Sequence, residues 1–405
     1  MVSCGHAPSA IACVEPKRVG NAAHPRRFPH GYRQFHADAN FNYQMNRFLG
    51  DQPADRVSEI ASRIDGLDAW KREMLGAAAT AQAQGEIGAA AGFCRAAEFF
   101  MSPGDSDKVS TYDRFVSLFW QAHGAFDGER ERIPYEGYTL PAVRLRAAGA
   151  RSTILVHAGF DAFLEEFVGL GRALCDDGFD VILFEGPGQG EPLIKQGLVM
   201  TPQWERPVSA VLDHFGLRDV TLIGISLGGY LASRAAAFEP RVARVVAFDA
   251  MYDFFACVTS HGNSIVRGAA RALLSTAPTS ALLNVVLRRR MASDVTVRWG
   301  IEQGMHVTGT GSPSAFLREL KKYSLADVAH RIQQDFLLLA GAEDHLVPLS
   351  QFHTQASELT AVRSLTARLF TRHEQAQSHC QYGNLDLALA VIAHWIQERV
   401  GSIGR

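Results

Sequence analysis

The chain has 405 residues, 47% hydrophobic and 20% charged, a composition that excludes wholesale disorder, a fibrous repeat and a disulfide-held miniprotein. The 40 basic residues nearly balance the 42 acidic ones, so the net charge of −2 offers no general attraction to nucleic acid or to an anionic membrane. At about 150 residues per domain, the length suggests roughly two to three units.

Cysteine usage and apolar runs bear on location and partners. The 6 cysteines are scattered, with no pair at the spacing of a metal site, so we expect a reducing, cytoplasmic location and neither metal nor cofactor. The longest apolar runs, such as residues 336–342, are far shorter than the roughly 18 residues of a membrane span. No signal-like apolar stretch follows the basic N-terminal residues. We expect a small-molecule substrate and no nucleic-acid or membrane partner, and the sequence leaves a homodimer open.

The N-terminal third divides into two parts. Residues 1–38 contain several prolines and no apolar periodicity, which predicts a flexible tail. Residues 39–127 have helical periodicity, with segments near 55–64, 67–84, 86–101 and 109–123. We therefore predict a helical N-terminal domain over residues 39–127.

Strands and helices alternate after residue 128. Residues 131–138 and 140–147 predict a hairpin around a Gly-Tyr-Thr turn. Further strands are predicted at 152–157, 180–184, 220–223 and 242–248, with helices at 163–176, 204–215 and 227–239 between them. Continuous apolar strands separated by amphipathic helices indicate a mostly parallel, doubly wound sheet covered on both faces, which is an α/β fold.

The alternation stops near residue 258. Successive helices are predicted near 264–275, 279–291, 294–304 and 312–321, with no strand between them. A strand at 335–339, a helix at 349–359, a strand at 364–370 and a closing helix at 385–398 then follow. We interpret residues 258–330 as a helical cap inserted between two parts of one core, residues 128–257 and 331–405.

The motif Gly224-Ile225-Ser226-Leu227-Gly228 lies between a predicted buried strand and a predicted helix. This context is typical of a nucleophile elbow, in which a tight turn projects a serine hydroxyl above the sheet. The glycines suit that turn because neighbouring positions have no room for side chains. Ser226 is therefore the candidate nucleophile.

A serine nucleophile needs a base and an acid that orients the base. Asp344 follows the predicted strand at 335–339 and is the candidate acid, with Glu343 and Asp249 as rivals. His379 lies between the last strand and the last helix and is the candidate base, with His373 as its rival.

An oxyanion hole needs backbone N–H groups directed at the developing negative charge. Leu227, directly after the nucleophile, would supply one of them. The second would come from the loop His157-Ala158-Gly159-Phe160-Asp161 after the strand at 152–157, with Phe160 preferred and Gly159 next.

The sequence resembles the α/β-hydrolase superfamily over roughly residues 128–402. Within it, the chain is similar to the branch that holds 2,6-dihydroxypseudooxynicotine hydrolase and the fungal heptaketide-shortening pigment hydrolases. The matching stretches are HAGFD at 157–161, FEGPGQGE at 184–191, residues 224–229, residues 340–348 and HCQYGN at 379–384. A helical N-terminal region and an inserted cap also suit this branch.

The resemblance implies serine hydrolysis, with Ser226, Asp344 and His379 at the triad positions. It also implies a carbonyl substrate of aromatic or polyketide type, cleaved at a carbon–carbon bond or an ester. Two alternatives stay open: an acyltransferase or cyclase using the same serine, and a non-catalytic ligand-binding or interaction protein on a hydrolase fold.

Overall fold

The computed structural model of the protein describes residues 27–124, 128–260, 274 and 277–401. In this part of the chain, eight strands form one sheet. In chain order they are β1 (Glu129–Tyr135), β2 (Tyr138–Leu145), β3 (Thr153–His157), β4 (Asp180–Phe184), β5 (Val220–Ile225), β6 (Val242–Phe248), β7 (Asp335–Gly341) and β8 (Ser364–Phe370).

The strand order across the sheet is β1-β2-β4-β3-β5-β6-β7-β8. The β1–β2 and β2–β4 pairs are antiparallel, and the pairs from β4 to β8 are parallel. Every residue of the central strands β5 and β7 is buried, as expected where helices cover both faces of a parallel sheet. The predicted α/β fold class is confirmed.

The hairpin turn lies two residues earlier than predicted. Tyr135 pairs with Tyr138, so Glu136 and Gly137 form the turn, with φ values of +48° and +86°. Two-residue hairpins of this kind need positive φ at both central positions, a conformation that glycine adopts readily. The predicted turn at Gly-Tyr-Thr was therefore wrong in register, and β2 begins at Tyr138.

Five helices precede the sheet: α1 (Ala39–Leu49), α2 (Ala54–Ala61), α3 (Leu67–Ala83), α4 (Ile87–Phe99) and α5 (Lys108–Ala122). They share an apolar core that includes Phe41, Trp70 and Phe93 and reaches Phe163 and Trp299 outside this domain. Helix α1 was not among the predicted segments. The Asp38 carboxylate accepts from the backbone N–H groups of Asn40 and Phe41 and so caps the helix. This capping aspartate is a local sequence signal for the start of α1.

Helices α6 (Val168–Asp176), α7 (Gly190–Gln196), α8 (Glu205–Phe215) and α9 (Gly228–Ala236) connect the strands up to β6. Between β6 and β7 lie α10 (Phe254–Val258), α11 (Ala277–Ser293), α12 (Val295–Thr308) and α13 (Pro313–Leu320). Helices α14 (Leu349–Glu358) and α15 (Leu385–Gly401) complete the chain. Apart from Leu274, the helix predicted near 264–275 lies outside the described residues.

Residues 27–38 of the predicted tail lie against the C-terminal part of the core. The backbone N–H of Arg27 donates to the Asp386 carboxylate, and the Gly31 N–H donates to the Gly383 carbonyl at 2.7 Å. Residues 1–26 of that tail lie outside the described residues. None of the described helices combines the length and the apolar character needed to cross a bilayer.

Candidate active site

Ser226 lies in the sharp turn between β5 and α9. Its φ is +61°, a conformation rare for a residue with a side chain. The Ser226 N–H donates to the Phe248 carbonyl at 2.6 Å, and the Gly229 N–H donates to the Ser226 carbonyl at 2.8 Å. These bonds hold the turn at the carboxyl end of the sheet, with the serine side chain half-buried.

The glycines around Ser226 are required by close backbone approach. A Cβ on Gly224 would lie 1.9 Å from the Gly228 carbonyl oxygen, and one on Gly229 would lie 2.0 Å from the Asp249 carbonyl oxygen. No side chain fits at these distances, so strand, turn and helix can meet here only through glycine. This is the strand–turn–helix geometry that the motif predicts.

His379 is the histidine that reaches Ser226. Its Nε2 lies 2.8 Å from Ser226 Oγ, and its Nδ1 lies 2.6 Å from Asp344 Oδ2. His379 begins a short 3₁₀ turn between β8 and α15. The rival His373 is solvent-exposed in an earlier turn of the same connection.

Asp344 is held in place by the loop after β7. Its Oδ1 accepts from the backbone N–H groups of Leu346 and Val347 at 2.8 and 2.9 Å, which leaves Oδ2 for His379. The rival Glu343 points elsewhere and pairs with the exposed guanidinium of Arg372. The loop thus directs Asp344, and not its neighbour, toward the histidine.

The other rival, Asp249, also reaches His379. It follows β6, is 1% exposed, and places Oδ2 3.2 Å from His379 Nδ1. The same carboxylate accepts from the Cys380 N–H at 2.6 Å and from Gln381 Nε2 at 2.8 Å. Two carboxylates therefore lie at one imidazole nitrogen, Asp344 at the shorter distance.

The electrostatics of this group follow from burial and charge. Burial lowers the pKa of His379, but the charge of Asp344 and the hydrogen bonds that the imidazole donates to both carboxylates outweigh it and hold that pKa well above its usual value. Burial raises the pKa of Asp249, but the hydrogen bond and positive charge of His379 bring it below its usual value. The two carboxylates beside Nδ1 therefore stabilise the imidazolium form of His379, which is the charge state that follows proton transfer from a serine.

Two buried cysteines lie beside the site. Burial raises the pKa of Cys257 to about 12 and that of Cys380 to about 11, so both thiols stay protonated and are poor nucleophiles. Asp249, His379 and Cys380 are the one set of three potential metal ligands among the described residues. Because His379 and Asp249 are engaged in hydrogen bonds and Cys380 is a thiol, this donor set does not suit a metal ion.

The loop after β3 lies directly against the nucleophile turn. A Cβ on Gly159 would lie 2.7 Å from the backbone nitrogens of both Leu227 and Gly228. Among the described residues, the N–H groups of Leu227 and Phe160 have no protein acceptor. The structure thus places Gly159 against Leu227, directly beside Ser226 in the chain, with Phe160 next to Gly159 in the same loop.

A small cleft adjoins this loop. It is bounded by α4, the loops after β3 and β4, and cap helix α12, and its lining includes Arg95, Phe99, Phe160, Gln303 and His306. The Phe160 ring borders it and makes edge contacts with Phe254 and Trp299, at centroid distances of 5.4 and 6.1 Å. The N-terminal domain, the core and the cap therefore share one cleft beside the oxyanion loop.

The sequence analysis did not assign a site role to Tyr43 of α1. Its buried hydroxyl donates to the His379 carbonyl at 3.2 Å, and its ring lies 5.9 Å from the His379 ring. The Asp38 cap and the apolar spacing of residues 41, 45 and 49 could have revealed the helix. No sequence signal placed that helix against the catalytic loop.

Comparison with known proteins agrees with this fold. A family model described as the alpha/beta hydrolase fold matches residues 153–368. The 20-hydroxy-prefusarin hydrolase FUS2 of Gibberella moniliformis is 30% identical over 330 residues, which cover 70% of this chain and 77% of that protein. Hydrolase LUC6 of a Fusarium species is 28% identical over 409 residues, covering 89% of this chain and 96% of that protein.

Two solved structures share the fold across most of the chain. AbyA5 has a TM-score of 0.66 at 19% identity, covering 90% of this chain and 97% of its own. The 2,6-dihydroxy-pseudo-oxynicotine hydrolase has a TM-score of 0.58 at 21% identity, covering 87% and 91%. With the family model spanning more than half of the residues, this chain belongs to the α/β-hydrolase family.

Proposed function

We propose that this hydrolase uses Ser226 as nucleophile, His379 as general base and Asp344 as the acid that orients the base. One observation carries the proposal: two successive hydrogen-bond contacts, of 2.8 and 2.6 Å, join Ser226 Oγ to His379 and His379 to Asp344. A serine hydroxyl is a weak nucleophile until a base within hydrogen-bond reach takes its proton.

In the proposed reaction, Ser226 Oγ attacks the substrate carbonyl carbon while His379 Nε2 takes the serine proton. The Leu227 and Phe160 N–H groups stabilise the resulting oxyanion. When the tetrahedral intermediate collapses, the leaving group takes the proton from Nε2. Water then attacks the acyl-serine with His379 again as base, which releases a carboxylic acid and restores Ser226.

For the substrate, we propose a small aromatic or polyketide-like ketone or ester. The name of the relative FUS2, a 20-hydroxy-prefusarin hydrolase, supports this class. The aromatic rings around Phe160 support it as well, since apolar and aromatic side chains suit compact, largely apolar ligands. An ester would release an alcohol, and a 1,3-diketone would release a methyl ketone after protonation of its enolate carbon.

Labelling by a fluorophosphonate probe tests the nucleophile. We expect the wild-type protein to be labelled and Ser226→Ala to be unlabelled, with turnover of a p-nitrophenyl ester lowered by about 10⁶-fold. Ser233→Ala is the matched control, because this buried serine on α9 donates to a backbone carbonyl and does not contact His379. Absence of labelling in folded wild-type protein would reject the proposal and favour a non-catalytic role.

Product analysis tests the bond that is cleaved. Benzoylacetone and phenyl acetate offer a carbon–carbon bond and an ester of similar size, and mass spectrometry identifies the acids released. The same incubations with added methanol separate hydrolysis from acyl transfer, since a transferase would form a methyl ester in place of the acid. We expect hydrolysis to predominate.

A further inference from the structure

Four consecutive carbonyls of the oxyanion loop each accept a hydrogen bond from a side chain. Gln189 Nε2 donates to the carbonyls of Ala158 at 2.6 Å and Gly159 at 3.3 Å. Gln303 Nε2 donates to the Phe160 carbonyl at 3.2 Å, and Arg95 Nη2 donates to the Asp161 carbonyl. Residues 158–161 belong to neither a helix nor a strand, so these side chains hold carbonyls that secondary structure leaves unpaired.

These bonds bear on the oxyanion site because a peptide group is planar. The Gly159 carbonyl and the Phe160 N–H belong to one plane and point in opposite directions. A donor that holds the Gly159 carbonyl on one side therefore directs the Phe160 N–H to the other side. Holding the Phe160 carbonyl in the same way fixes the next plane and limits rotation about the Phe160 backbone.

The neighbouring His157 Nδ1 also donates to the Ala158 carbonyl, at 2.9 Å. The other three donors come from three different parts of the chain. Gln189 lies in the loop after β4, is 2% exposed, and uses its Oε1 to accept from the Gly186 N–H at 2.9 Å. Gln303 lies on cap helix α12, and Arg95 lies on α4 of the N-terminal domain. The core, the cap and the N-terminal helices thus each contribute at least one side chain to a loop of four residues.

Arg95 is itself fixed by buried charges. Its Nε and Nη1 donate to Glu166 and Glu98, each at 2.7 Å, and its side chain is 2% exposed. Arg47 of α1 also binds Glu166, at 2.7 Å, and binds the Asp161 carboxylate at 3.0 Å. Charges removed from water persist only in well-paired geometry, so this network leaves little freedom to the loop that it holds.

We propose that Gln189, Gln303 and Arg95 are positioning residues that orient the peptide planes of residues 158–161, so that the Phe160 N–H faces the reacting carbonyl. The cap and the N-terminal domain then act in catalysis itself, beyond enclosing a substrate. The proposal rests on the proposed function, because it assumes an oxyanion formed by attack of Ser226.

The test compares Gln→Met at three positions. Methionine has nearly the length of glutamine and is likewise uncharged, but it has no N–H group to donate. Gln189→Met and Gln303→Met remove loop donors. Gln196→Met is the matched control: its side chain also clamps backbone, bonding the Thr139 carbonyl and N–H at 2.8 and 2.9 Å, but in the β1–β2 hairpin. The first readout is turnover of a p-nitrophenyl ester. The second is the inhibition constant of each of two ketones: 2,2,2-trifluoroacetophenone, which forms an oxyanion with serine, and acetophenone, which does not.

We expect the two loop variants to lower kcat by about 10- to 100-fold, somewhat less than the loss of a whole oxyanion donor. The binding of trifluoroacetophenone should weaken by a similar factor in both variants. KM and the binding of acetophenone should stay within about threefold of wild type. Gln196→Met should change none of these values. Thermal unfolding reports whether each variant is folded, and half-buried Gln303 provides the decisive variant if Gln189→Met does not fold.

The outcomes separate the two proposals. If wild-type protein does not react with fluorophosphonate, the serine mechanism is wrong. If wild type reacts and folded Gln303→Met matches Gln196→Met in kcat and in trifluoroacetophenone affinity, the mechanism stands and the positioning role is overturned. Equal losses in kcat/KM and acetophenone binding would also overturn it, because they indicate a damaged pocket rather than a misdirected N–H group.

Discussion

Replacing Asp344 by asparagine should lower turnover less than the loss of a triad carboxylate usually does. Such a change commonly costs about 10⁴-fold, because the asparagine amide no longer fixes the correct histidine tautomer. Here Asp249 Oδ2 already lies 3.2 Å from the same Nδ1, against 2.6 Å for Asp344. A carboxylate acceptor for the Nδ1 proton therefore remains in Asp344→Asn.

The magnitude follows from the two distances. At an effective dielectric constant of about 20, the attraction between an imidazolium and a carboxylate differs by about 1 kcal/mol between these separations. That difference corresponds to a little under tenfold in rate, and imperfect alignment of Asp249 adds to it. We expect Asp344→Asn to lose about 10- to 100-fold in kcat, and Asp344→Asn with Asp249→Asn to lose about 10⁴-fold.

The assay is hydrolysis of a p-nitrophenyl ester by both single variants and the double variant, arranged as a double-mutant cycle. Glu343→Gln is the control, because this neighbouring carboxylate pairs with exposed Arg372 and should leave kcat unchanged. If Asp344→Asn alone lost as much activity as the double variant, Asp249 would not substitute for Asp344 and the reasoning would be refuted.

Three further predictions concern pH, the oxyanion loop and stability. Since the base must be neutral, kcat/KM should rise with pH through the raised pKa of His379, above its ordinary value near 6.5, and removing the Asp249 charge should move that rise to lower pH. Gly159→Ala should lower kcat by about 100-fold or more in ester hydrolysis, because its Cβ would lie 2.7 Å from the Leu227 nitrogen. Arg95→Met should reduce the free energy of unfolding in urea by about 3 kcal/mol, because the buried carboxylates of Glu98 and Glu166 each lose one of their two cationic partners.

Each of these has a control or a contrary outcome. An unchanged pH profile in Asp249→Asn would show that this carboxylate does not act on the imidazole. Gly76→Ala on α3 lies at a position with open space around it and no positive φ, so it controls for a general loss of activity from adding a methyl group. Arg63→Met breaks two ion pairs of an exposed side chain and should change the free energy of unfolding little; an equally small loss for Arg95→Met would contradict the role of Arg95 in the buried network.

The sequence was most informative where the signal is local. The glycines around Ser226, the apolar strand before Asp344 and the short connection that carries His379 each predict a turn or strand end. The order of strands then places those ends at one edge of a parallel sheet. The fold class follows from the same alternation of strand and helix patterns.

Two local features were missed or shifted. The β1–β2 turn was displaced because Tyr138 and Thr139 continue the strand pattern, and only the pairing of Tyr135 with Tyr138 fixes the register. Helix α1 was missed although Asp38 caps it and Phe41, Met45 and Leu49 give it apolar residues at helical spacing. In both places short-range propensity was too weak to choose between neighbouring solutions.

What only the tertiary structure decided is which distant side chains surround the catalytic loops. Sequence spacing favoured Asp344 over Asp249 as the acid, and only packing shows that both carboxylates reach His379. Sequence spacing also did not predict that α1, α4 and Gln303 of α12 contact the loop of residues 158–161. Such contacts depend on how whole helices pack, and that is set by side-chain fit across elements far apart in the chain, whereas the turn around Ser226 is set by its own glycines.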